Sequence, residues 1–515
     1  MQIGVIGAGF TGLSTAKVLK QFGFDVTVFD KAPDVGGVWS ATRRYPGLTT
    51  QNSRSTYAMS DFPMPKSYPE WPTGQQVQQY LANYAHHFGL DEHVRLNTNV
   101  VDADLDEQAG TWTVTTRDTC APHAVDTFVC DHLVVANGIF CDPLVPDYPG
   151  AREYAAAGGR LCHASEFHDM ADARARDIVV VGYGKSSCDV AEALSDVAAS
   201  TTVVARELIW KMPKKLGNVL NYKYLLLTRM GEGLFRYIRP KGFERFLHGP
   251  GRPVRNSVLA SVQSVVTRQL RLRELDLLPA GSLERIARST VSLVTDHFYD
   301  KVRDGAISVR RDSTITRLLV HDGRPSAQLS SSEVVPADAV VCGTGFHQRV
   351  PFFSAELQDR IVDARGNFEL YRQTQPLNVP RLSFNGYNSS LFSPLSAEVG
   401  ALWIVNLLIG GMTLPPKDVQ RAHVAERLRW MEERTEGRHA RGTNIVPFSV
   451  HNIDELLEDI GFGVSRLTRF KEWLLPVDPG AYAPITTKLL RRQRSLAEPQ
   501  TGTEAHHDKM GSKTA

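Results

Sequence analysis

Two stretches of the sequence, "IGVIGAGFTGLSTA" at residues 3–16 and "VVVGYGKSSCDVA" at residues 179–191, share one pattern. Each begins with aliphatic, largely β-branched residues, continues with closely spaced glycines and ends in small residues that run into a helix. A strand, a tight turn and a helix arranged in this way surround the pyrophosphate of a dinucleotide. The sequence therefore predicts an α/β fold with two Rossmann-like dinucleotide-binding domains.

The first stretch has its glycines at the positions that this fold needs. Gly7 makes the turn, Gly9 lets the backbone approach the phosphates, and Gly12 lets the helix pack closely on the sheet. The next strand ends in Asp30, 18 residues after Gly12, where a carboxylate binds ribose hydroxyls and repels a 2′-phosphate. These features predict FAD at this site. Further candidate FAD-binding residues follow in the segment "VGGVW", namely Gly37, Val38 and Trp39.

The second stretch differs from the first in two respects. Gly182 and Gly184 match the glycine pattern, but Ser187, which is also small, stands in place of the third glycine. The following strand ends in Arg206, whose guanidinium pairs with a 2′-phosphate and so predicts NADPH, although the adjacent Glu207 leaves NADH as an alternative. The other candidate NADPH-binding residues are Lys185 and Ser186. Three lysines add positive charge beyond the strand, Lys211, Lys214 and Lys215.

The composition argues against several other classes of partner. A net charge of +2 over 515 residues gives no field that favours nucleic acid. The longest apolar run, at residues 401–412, is shorter than the ~20 residues that span a bilayer. Strand residues begin at Ile3, so we expect no leader peptide. None of the six cysteines forms a C-x-x-C pair, so we expect a cytoplasmic protein without a metal site.

Further segments of the chain resemble the flavin-containing monooxygenases, within the class B flavoprotein monooxygenases. "AGGRLCHASEF" at residues 157–167 places Gly159, His163 and Phe167 in register with that family's motif F-x-G-x-x-x-H-x-x-x-(Y/F). Two other segments match, residues 45–65, which resemble the region leading into the family's Asp-Phe-Pro, and residues 384–403, which resemble the segment closing its FAD site.

The resemblance covers about residues 1–210 and 295–415 and implies FAD and NADPH as cofactors. It implies that NADPH reduces FAD, that the reduced flavin and O2 form a C4a-hydroperoxyflavin, and that one oxygen atom passes to a small organic substrate. The implied domains are residues 1–155 and 325–450 (FAD-binding), 156–324 (NADPH-binding, with a helical insertion at about 211–300), 451–490 (C-terminal helices) and 491–515 (a disordered tail).

The resemblance also suggests residues near the flavin. The family has an asparagine ahead of its Asp-Phe-Pro, and Asn52 is the catalytic candidate, with Gln51 as the alternative because the spacing to Asp61 is one residue short. Thr344 and Gly345 lie in a turn after a β-rich segment that is expected to lead the chain back into the FAD domain, and they are further candidates for FAD binding.

Several functions are compatible with these motifs. His168 follows Phe167 where Baeyer–Villiger enzymes have Trp-Pro, which favours oxygenation of nitrogen or sulfur. A Baeyer–Villiger monooxygenase acting on a ketone, an amino-acid or amine N-hydroxylase and a non-catalytic flavin-binding sensor are the alternatives. A disulfide reductase would need a dithiol that the cysteine spacing does not supply. The expected partners are a small-molecule substrate, O2 and a second copy of the chain in a homodimer.

Overall fold

The computed structural model describes residues 1–288, 292–437 and 441–497. The chain begins with the predicted succession of strand, glycine turn, helix and strand. The strands of the first 150 residues are β1 (Gln2–Ile6), β2 (Asp25–Phe29), β3 (Val94–Arg95), β4 (Thr98–Asp106), β5 (Thr111–Asp118), β6 (Val125–Cys130), β7 (His132–Val135) and β8 (Asp142–Pro143), and the helices are α1 (Phe10–Gln21) and α2 (Gly74–His87).

The middle of the chain repeats this succession and then becomes irregular. Its strands are β9 (Arg160–His163), β10 (Asp177–Val181), β11 (Ser200–Ala205), β12 (Lys211–Met212), β13 (Lys215–Leu216), β14 (Leu220–Asn221), β15 (Ser292–Leu293) and β16 (Ser308–Arg311). Its helices are α3 (Ala151–Ala156), α4 (Lys185–Leu194), α5 (Lys223–Leu226), α6 (Arg229–Gly233), α7 (Phe243–Leu247), α8 (Arg252–Gln269) and α9 (Phe298–Arg303). Among the described residues of the insertion expected at about 211–300, helices make up less than half, and irregular chain and four two-residue strands connect them.

The last part of the chain contains short strands followed by long helices. The strands are β17 (Ile315–His321), β18 (Arg324–Leu329), β19 (Val334–Pro336), β20 (Ala339–Cys342), β21 (Phe346–His347), β22 (Leu370–Tyr371), β23 (Gln375–Pro376) and β24 (Leu382–Phe384). The helices are α10 (Ala355–Asp359), α11 (Ser393–Leu408), α12 (Lys417–Thr435), α13 (Ser449–Asp459), α14 (Arg466–Leu474) and α15 (Pro484–Ala497).

Two five-stranded parallel sheets organise the molecule. The first has the strand order β24-β7-β1-β2-β3 and the second has the order β16-β11-β10-β20-β9. The central strands β1 and β10 are almost wholly buried, as expected for parallel sheets that are covered on both faces. The predicted α/β fold with two Rossmann-like domains is confirmed. Ligands of such sheets bind at the carboxyl ends of the strands, where both glycine turns lie.

The second sheet extends further along the chain than the expected boundary at residue 325. Strand β20 pairs in parallel with both β10 and β9, so residues 339–342 belong to the second sheet and not to the first. Its four residues are all buried, which suits an inner strand of a parallel sheet. Before it, β17, β18 and β19 form a separate antiparallel sheet. The chain rejoins the first sheet only at β24, and the remaining domain limits stay predictions.

The C-terminal helices extend beyond the expected start of the tail. Helix α15 continues to Ala497, so the segment 491–497 is helical where disorder was expected. Arg492 explains part of this, because its guanidinium donates to the carbonyl of Ile460 and to Oδ1 of Asn406. The rest of the expected tail, residues 498–515, lies outside the described residues. Within the described ranges, every helix is too short or too polar to cross a bilayer.

A buried cluster of three side chains joins the insertion to the C-terminal helices. His451 of α13 lies 2.5 Å from Glu232 of α6 through Nδ1 and 2.9 Å from Glu244 of α7 through Nε2. Burial alone would lower the pKa of His451, but the two carboxylates raise it to about 10. His451 is therefore protonated at neutral pH, and opposite charges hold the three helices together.

Candidate active site

Two of the three glycines in the first turn, Gly7 and Gly12, have no space for a side chain. Gly7 has a φ of +112°, and a Cβ there would lie 2.5 Å from the carbonyl oxygen of Ala136. A Cβ on Gly12 would lie 1.7 Å from the carbonyl oxygen of Gly7. Helix α1 begins directly after Gly9, and no side chain caps its first amides. Uncapped amides at a helix N-terminus suit an anion such as a pyrophosphate.

Asp30 connects this turn to the end of β2 through hydrogen bonds. Its carboxylate accepts hydrogen bonds from the backbone amides of Ala8, at 2.6 Å, and Ala32, at 2.9 Å. Burial raises its pKa. Asp30 thus shapes the loop on which a ribose would rest, in addition to the direct contact that the sequence predicts.

The "VGGVW" segment passes close to the first turn. Gly37 has a φ of +59°, and a Cβ there would lie 3.1 Å from the Cα of Gly9. Trp39 is buried, and its ring lies 6.0 Å from that of Tyr57 in an edge-to-face contact. Val38 is exposed between them. The segment therefore lies directly beside the first turn, and its assignment to FAD binding stays a prediction.

The second glycine turn follows the first closely. Gly182 has a φ of +110°, and a Cβ there would lie 2.8 Å from the carbonyl oxygen of Gly343. Ser187 stands in place of the third glycine, and its side chain fits there because its hydroxyl donates a hydrogen bond to that same carbonyl at 3.3 Å. Gly184 precedes helix α4, whose first turn has no side-chain cap, and a Cβ there would meet no atom within 4 Å. The backbone at Gly184 therefore faces open space.

The side chains that follow the second glycine turn already have partners within the protein, which the sequence does not show. Lys185 forms a buried ion pair with Asp189 of the same helix, and Asp189 also accepts from the hydroxyl of Thr295 at 2.5 Å. Ser186 lies beside the hydroxyl of Tyr45. Lys185 is thus engaged within α4 and is not a free cation for a phosphate.

The expected positive surface beyond β11 is not continuous. Arg206 is exposed at the end of the strand, where a 2′-phosphate is predicted to lie. Lys211, however, is only 2% exposed and donates to the carbonyl oxygen of Tyr183 at 2.7 Å, and burial lowers its pKa. Lys214 pairs with Asp296 at 2.7 Å. Of this group, therefore, Arg206 fits the predicted phosphate contact best.

The motif around His163 supports the turn that contains Thr344 and Gly345. The buried His163 ring accepts from the amide of Ser165 through Nδ1 and lies 4.7 Å from the ring of Phe346. The hydroxyl of Thr344 donates to the carbonyl oxygen of Leu144. Because β20 pairs with β10 and Gly343 lies close to Gly182, this turn lies beside the second glycine turn. Its assignment to FAD binding stays a prediction.

The two domains meet at a seam formed by the segment around Asn52. Asn52 is buried, and its Nδ2 donates to the carbonyl oxygen of Leu391, just before α11. The side-chain oxygen of Gln51 accepts from the amide of Leu293 at 3.1 Å. The hydroxyl of Tyr222 donates to the carbonyl oxygen of Gln51 at 2.5 Å and lies 3.5 Å from Oδ1 of Asn52. The side chain of Asn52 therefore binds the segment before α11, whereas the side chain of Gln51 binds β15.

Tyr222 is the residue of this seam that the sequence does not reveal. It belongs to the irregular insertion, where no motif marks it. Its neighbours Asn221 and Lys223 both bind Oε1 of Glu70, at 2.7 and 2.8 Å, and hold the loop against the first domain. Tyr222 is thereby turned inward and is 1% exposed. The insertion therefore reaches the candidate active site.

A cluster of three charged side chains, two of them buried, joins helix α1 to helix α11. Lys17 of α1 pairs with Asp61 at 2.5 Å and with Glu398 of α11 at 3.7 Å. Burial raises the pKa of Glu398 to about 7, although Lys17 opposes this. Asp61 belongs to the Asp-Phe-Pro that the resemblance singles out. The cluster joins α1 and α11, and so gives this motif a structural role.

The six cysteines are free thiols. In the ranges 1–288, 292–437 and 441–497, no group of three or more His, Cys, Asp or Glu side chains is arranged to hold a metal ion.

Comparisons with known proteins agree with this geometry. The family model described as flavin-binding monooxygenase-like matches residues 1–250. The mouse (Mus musculus) dimethylaniline monooxygenase [N-oxide-forming] 4 is 24% identical over 437 residues, which cover 81% of this chain and 71% of that protein.

Solved structures show the same fold at low sequence identity. The S-allyl-L-cysteine S-oxygenase from Allium sativum superposes with a TM-score of 0.60 and 17% identity, and covers 96% of this chain and 98% of its own. The cyclohexanone monooxygenase from Rhodococcus sp. Phi1 bound to NADP+ superposes with a TM-score of 0.66 and 16% identity, over 89% of this chain and 97% of its own.

These findings confirm the predicted resemblance to the flavin-containing monooxygenases. The relatives are flavin-dependent oxidoreductases, and enzymes of this family use FAD and NADPH, which confirms the predicted enzyme class and cofactor pair. Cytoplasmic location and the homodimer stay predictions.

Proposed function

We propose that this protein uses FAD and NADPH to insert one oxygen atom of O2 into a nitrogen or sulfur atom of a small organic molecule. The observation that carries the proposal is the pair of glycine turns, one at the carboxyl edge of each parallel sheet. Each turn precedes a helix whose first amides have no side-chain cap. A hydride donor and a flavin held in these turns would meet at the domain interface.

The residues around both turns fit the two dinucleotides. The close approach of Gly37 to Gly9 and the open space beside Gly184 leave backbone amides accessible to phosphates. When bound, NADPH supplies hydride and FAD supplies the activation of O2. The proposed FAD-binding residues are Gly7, Gly9, Gly12, Asp30, Gly37, Val38, Trp39, Thr344 and Gly345. The proposed NADPH-binding residues are Gly182, Gly184, Ser186, Ser187 and Arg206. Lys185, which the sequence also suggests, is left out because its ammonium group is paired with Asp189.

Asn52 has the clearest catalytic role within the seam. Its side chain is held by the Leu391 carbonyl on one side and by the Tyr222 hydroxyl on the other, so its amide is fixed before any substrate arrives. The surrounding residues are buried, which keeps water away from the reacting groups. We propose that Asn52 donates a hydrogen bond at the reacting centre, with Gln51 as the alternative donor.

Two observations support nitrogen or sulfur as the target atom. The relatives include an N-oxide-forming enzyme and an S-oxygenase. In addition, His168 occupies the place of the Trp-Pro of Baeyer–Villiger enzymes, and its Nδ1 lies 2.9 Å from the carbonyl oxygen of Arg44. A Baeyer–Villiger reaction on a ketone is the second candidate, because cyclohexanone monooxygenase superposes with a TM-score of 0.66, against 0.60 for the S-oxygenase.

The proposed function is tested by product analysis under turnover. The purified protein is incubated with NADPH, O2 and a panel of tertiary amines, thioethers and cyclic ketones, while NADPH oxidation, hydrogen peroxide release and products are measured. We expect an N-oxide or S-oxide in proportion to the NADPH consumed. Esters or lactones would establish the second candidate, and NADPH oxidation that yields only peroxide with every substrate would reject both.

The variant Gly184→Ala is expected to weaken nucleotide binding selectively. Gly184 has extended backbone angles that alanine adopts readily, and its Cβ would strain nothing in the protein. The added methyl would occupy the space that we assign to the pyrophosphate. We expect the Kd for NADP+ to rise at least about tenfold, with unchanged FAD content. Titration followed by flavin absorbance measures both, and an unchanged Kd would remove Gly184 from the site.

The variant Tyr222→Phe is expected to uncouple NADPH oxidation from product formation. It keeps the buried ring but removes the hydroxyl that binds Gln51 and faces Asn52. The unpaired carbonyl costs about 1–3 kcal/mol of folding free energy. We expect a larger fraction of the NADPH consumed to appear as hydrogen peroxide. The control is Tyr224→Phe, whose ring is 48% exposed, and equal coupling in both variants would contradict this role.

A further inference from the structure

Helix α14 carries its large apolar side chains on the side that faces away from the protein. Leu467, Phe470 and Leu474 follow one another at intervals of three and four residues, so they lie on one face of the helix. Their side chains are 64%, 65% and 63% exposed. A surface helix normally turns such a face towards the core.

Buried ion pairs fix this orientation. On the opposite side of α14, Glu472 is 3% exposed and accepts from Nε of Arg229 at 2.8 Å. Arg229 also binds both carboxylate oxygens of Asp454 on α13. The helix is thus anchored through its charged side, and the apolar side remains outside. The buried ion pair of Glu472 therefore keeps the leucine and phenylalanine side chains of α14 exposed to solvent.

Helix α7 enlarges the apolar surface. Phe243 and Phe246 are each nearly half exposed, and their rings stack with centroids 5.5 Å apart. Phe243 meets the ring of Trp473 edge to face at 5.9 Å, which connects α7 with α14. We define the outer apolar patch as Phe243, Phe246, Leu467, Phe470, Trp473, Leu474 and Leu475. Contiguous exposed apolar side chains rimmed by polar residues are typical of an interaction surface.

The exposed charges around the outer apolar patch are all positive on these two helices. The acidic residues of α7 and α14, Glu244 and Glu472, are both buried. The basic residues are exposed, and helical spacing puts Arg466 and Lys471 on either side of the apolar face of α14. The exposed basic residues of the two helices are Arg245, Arg466, Arg469 and Lys471, of which Arg469 also pairs with Asp454 of α13 at 3.2 Å.

We propose that the outer apolar patch docks on an anionic lipid surface. A helix with leucine and phenylalanine on one face and lysine and arginine at its borders lies in the plane of a membrane interface, with its apolar face among the acyl chains. The bordering cations then meet lipid phosphates. A symmetric contact with a second copy would oppose like charges across the interface, so the lipid surface suits this patch better. The proposal does not depend on the oxygenation reaction.

Co-sedimentation with vesicles tests the proposal on the full chain. The probes are phosphatidylcholine vesicles with and without about 30% phosphatidylglycerol, at low salt and at about 0.5 M salt. We expect binding to the anionic vesicles that weakens as salt rises, and at least about tenfold weaker binding to the neutral ones. Equal binding to both kinds of vesicle, or to neither, would overturn the proposal.

A double variant locates the docking surface. Phe470→Glu with Leu474→Glu is expected to weaken vesicle binding at least about tenfold, because both side chains would place charge among the acyl chains. The matched control is Val125→Glu with Val129→Glu, which changes two exposed valines of β6, and it should bind as the wild type does. Equal loss in both variants would overturn the proposal. So would a wild-type dimer that only the first variant makes monomeric in light scattering.

Discussion

Replacing Gly12 with alanine is expected to remove most of the FAD from the purified protein and to cost about 3 kcal/mol or more of folding free energy. The added Cβ would lie 1.7 Å from the carbonyl oxygen of Gly7, a contact that cannot be relieved by rotating a side chain. Helix α1 would have to move away from β1, and it also packs on α11. The flavin-to-protein absorbance ratio and urea denaturation measure the two effects.

A second glycine provides the matched control. Gly463 has no atom within 4 Å of the position of a Cβ, and it lies in the loop before α14, far along the chain from either glycine turn. Gly463→Ala should therefore keep its FAD and its stability. A Gly12→Ala protein that retains both would show that helix and sheet need not pack closely here, and it would weaken the assignment of FAD to the first turn.

Raising the pH from about 6 to about 10 is expected to remove about 4 kcal/mol of stability through His451 alone. Its pKa in the folded protein, about 10, exceeds its ordinary value of 6.5. The folded state therefore binds the proton more tightly than the unfolded state. The stabilisation is complete below pH 6.5 and is lost as the pH rises through 10. The pKa of Glu244, which burial would raise, is lowered by its hydrogen bond with His451 and agrees with this direction.

The measurement compares the wild type with His451→Gln across this pH range. Chemical denaturation at each pH gives the difference in free energy of unfolding between the two proteins. We expect the difference to be largest near pH 6 and to shrink towards pH 10. His86→Gln serves as the control, since His86 is exposed and meets its partner Asp91 in water. If the difference in free energy of unfolding stayed constant with pH, His451 would stabilise the protein through packing and not through its charge.

The glycine turns could be predicted because their requirements are local. A positive φ at Gly7 and Gly182, and the contact of Gly12 with Gly7, are properties of a few consecutive residues. The same holds for Ser187, whose small side chain is visible in the sequence. Its hydrogen bond to Gly343 is not, because that residue lies 156 positions away.

The seam could not be predicted in the same way, because distant parts of the chain build it. The bond from Asn52 to Leu391 spans 339 positions and the bond between Gln51 and Leu293 spans 242. Only the resemblance to a known family pointed to Asn52. Nothing pointed to Tyr222, since the insertion that carries it has no regular pattern.

Charge in the sequence was the least reliable guide to the site. Lys211 and Lys214 follow Arg206 closely and suggest one basic surface. The fold instead buries Lys211 behind the glycine turn and pairs Lys214 with Asp296. Spacing along a chain shows which charges are near one another, but burial depends on which element folds over them.

The segment that runs across the seam also has a mechanical consequence. At one end, the backbone at Gly47 packs against that of Asp189, so closely that an added Cβ would lie 3.0 Å from its carbonyl oxygen. At the other end, Gln51 is bonded to both Leu293 and Tyr222. A hinge rotation that parted the two domains would have to break all these contacts at once. We therefore expect a stiff joint, in which the nicotinamide nucleotide enters and leaves past Gly184 by local sliding while the domains keep their mutual orientation.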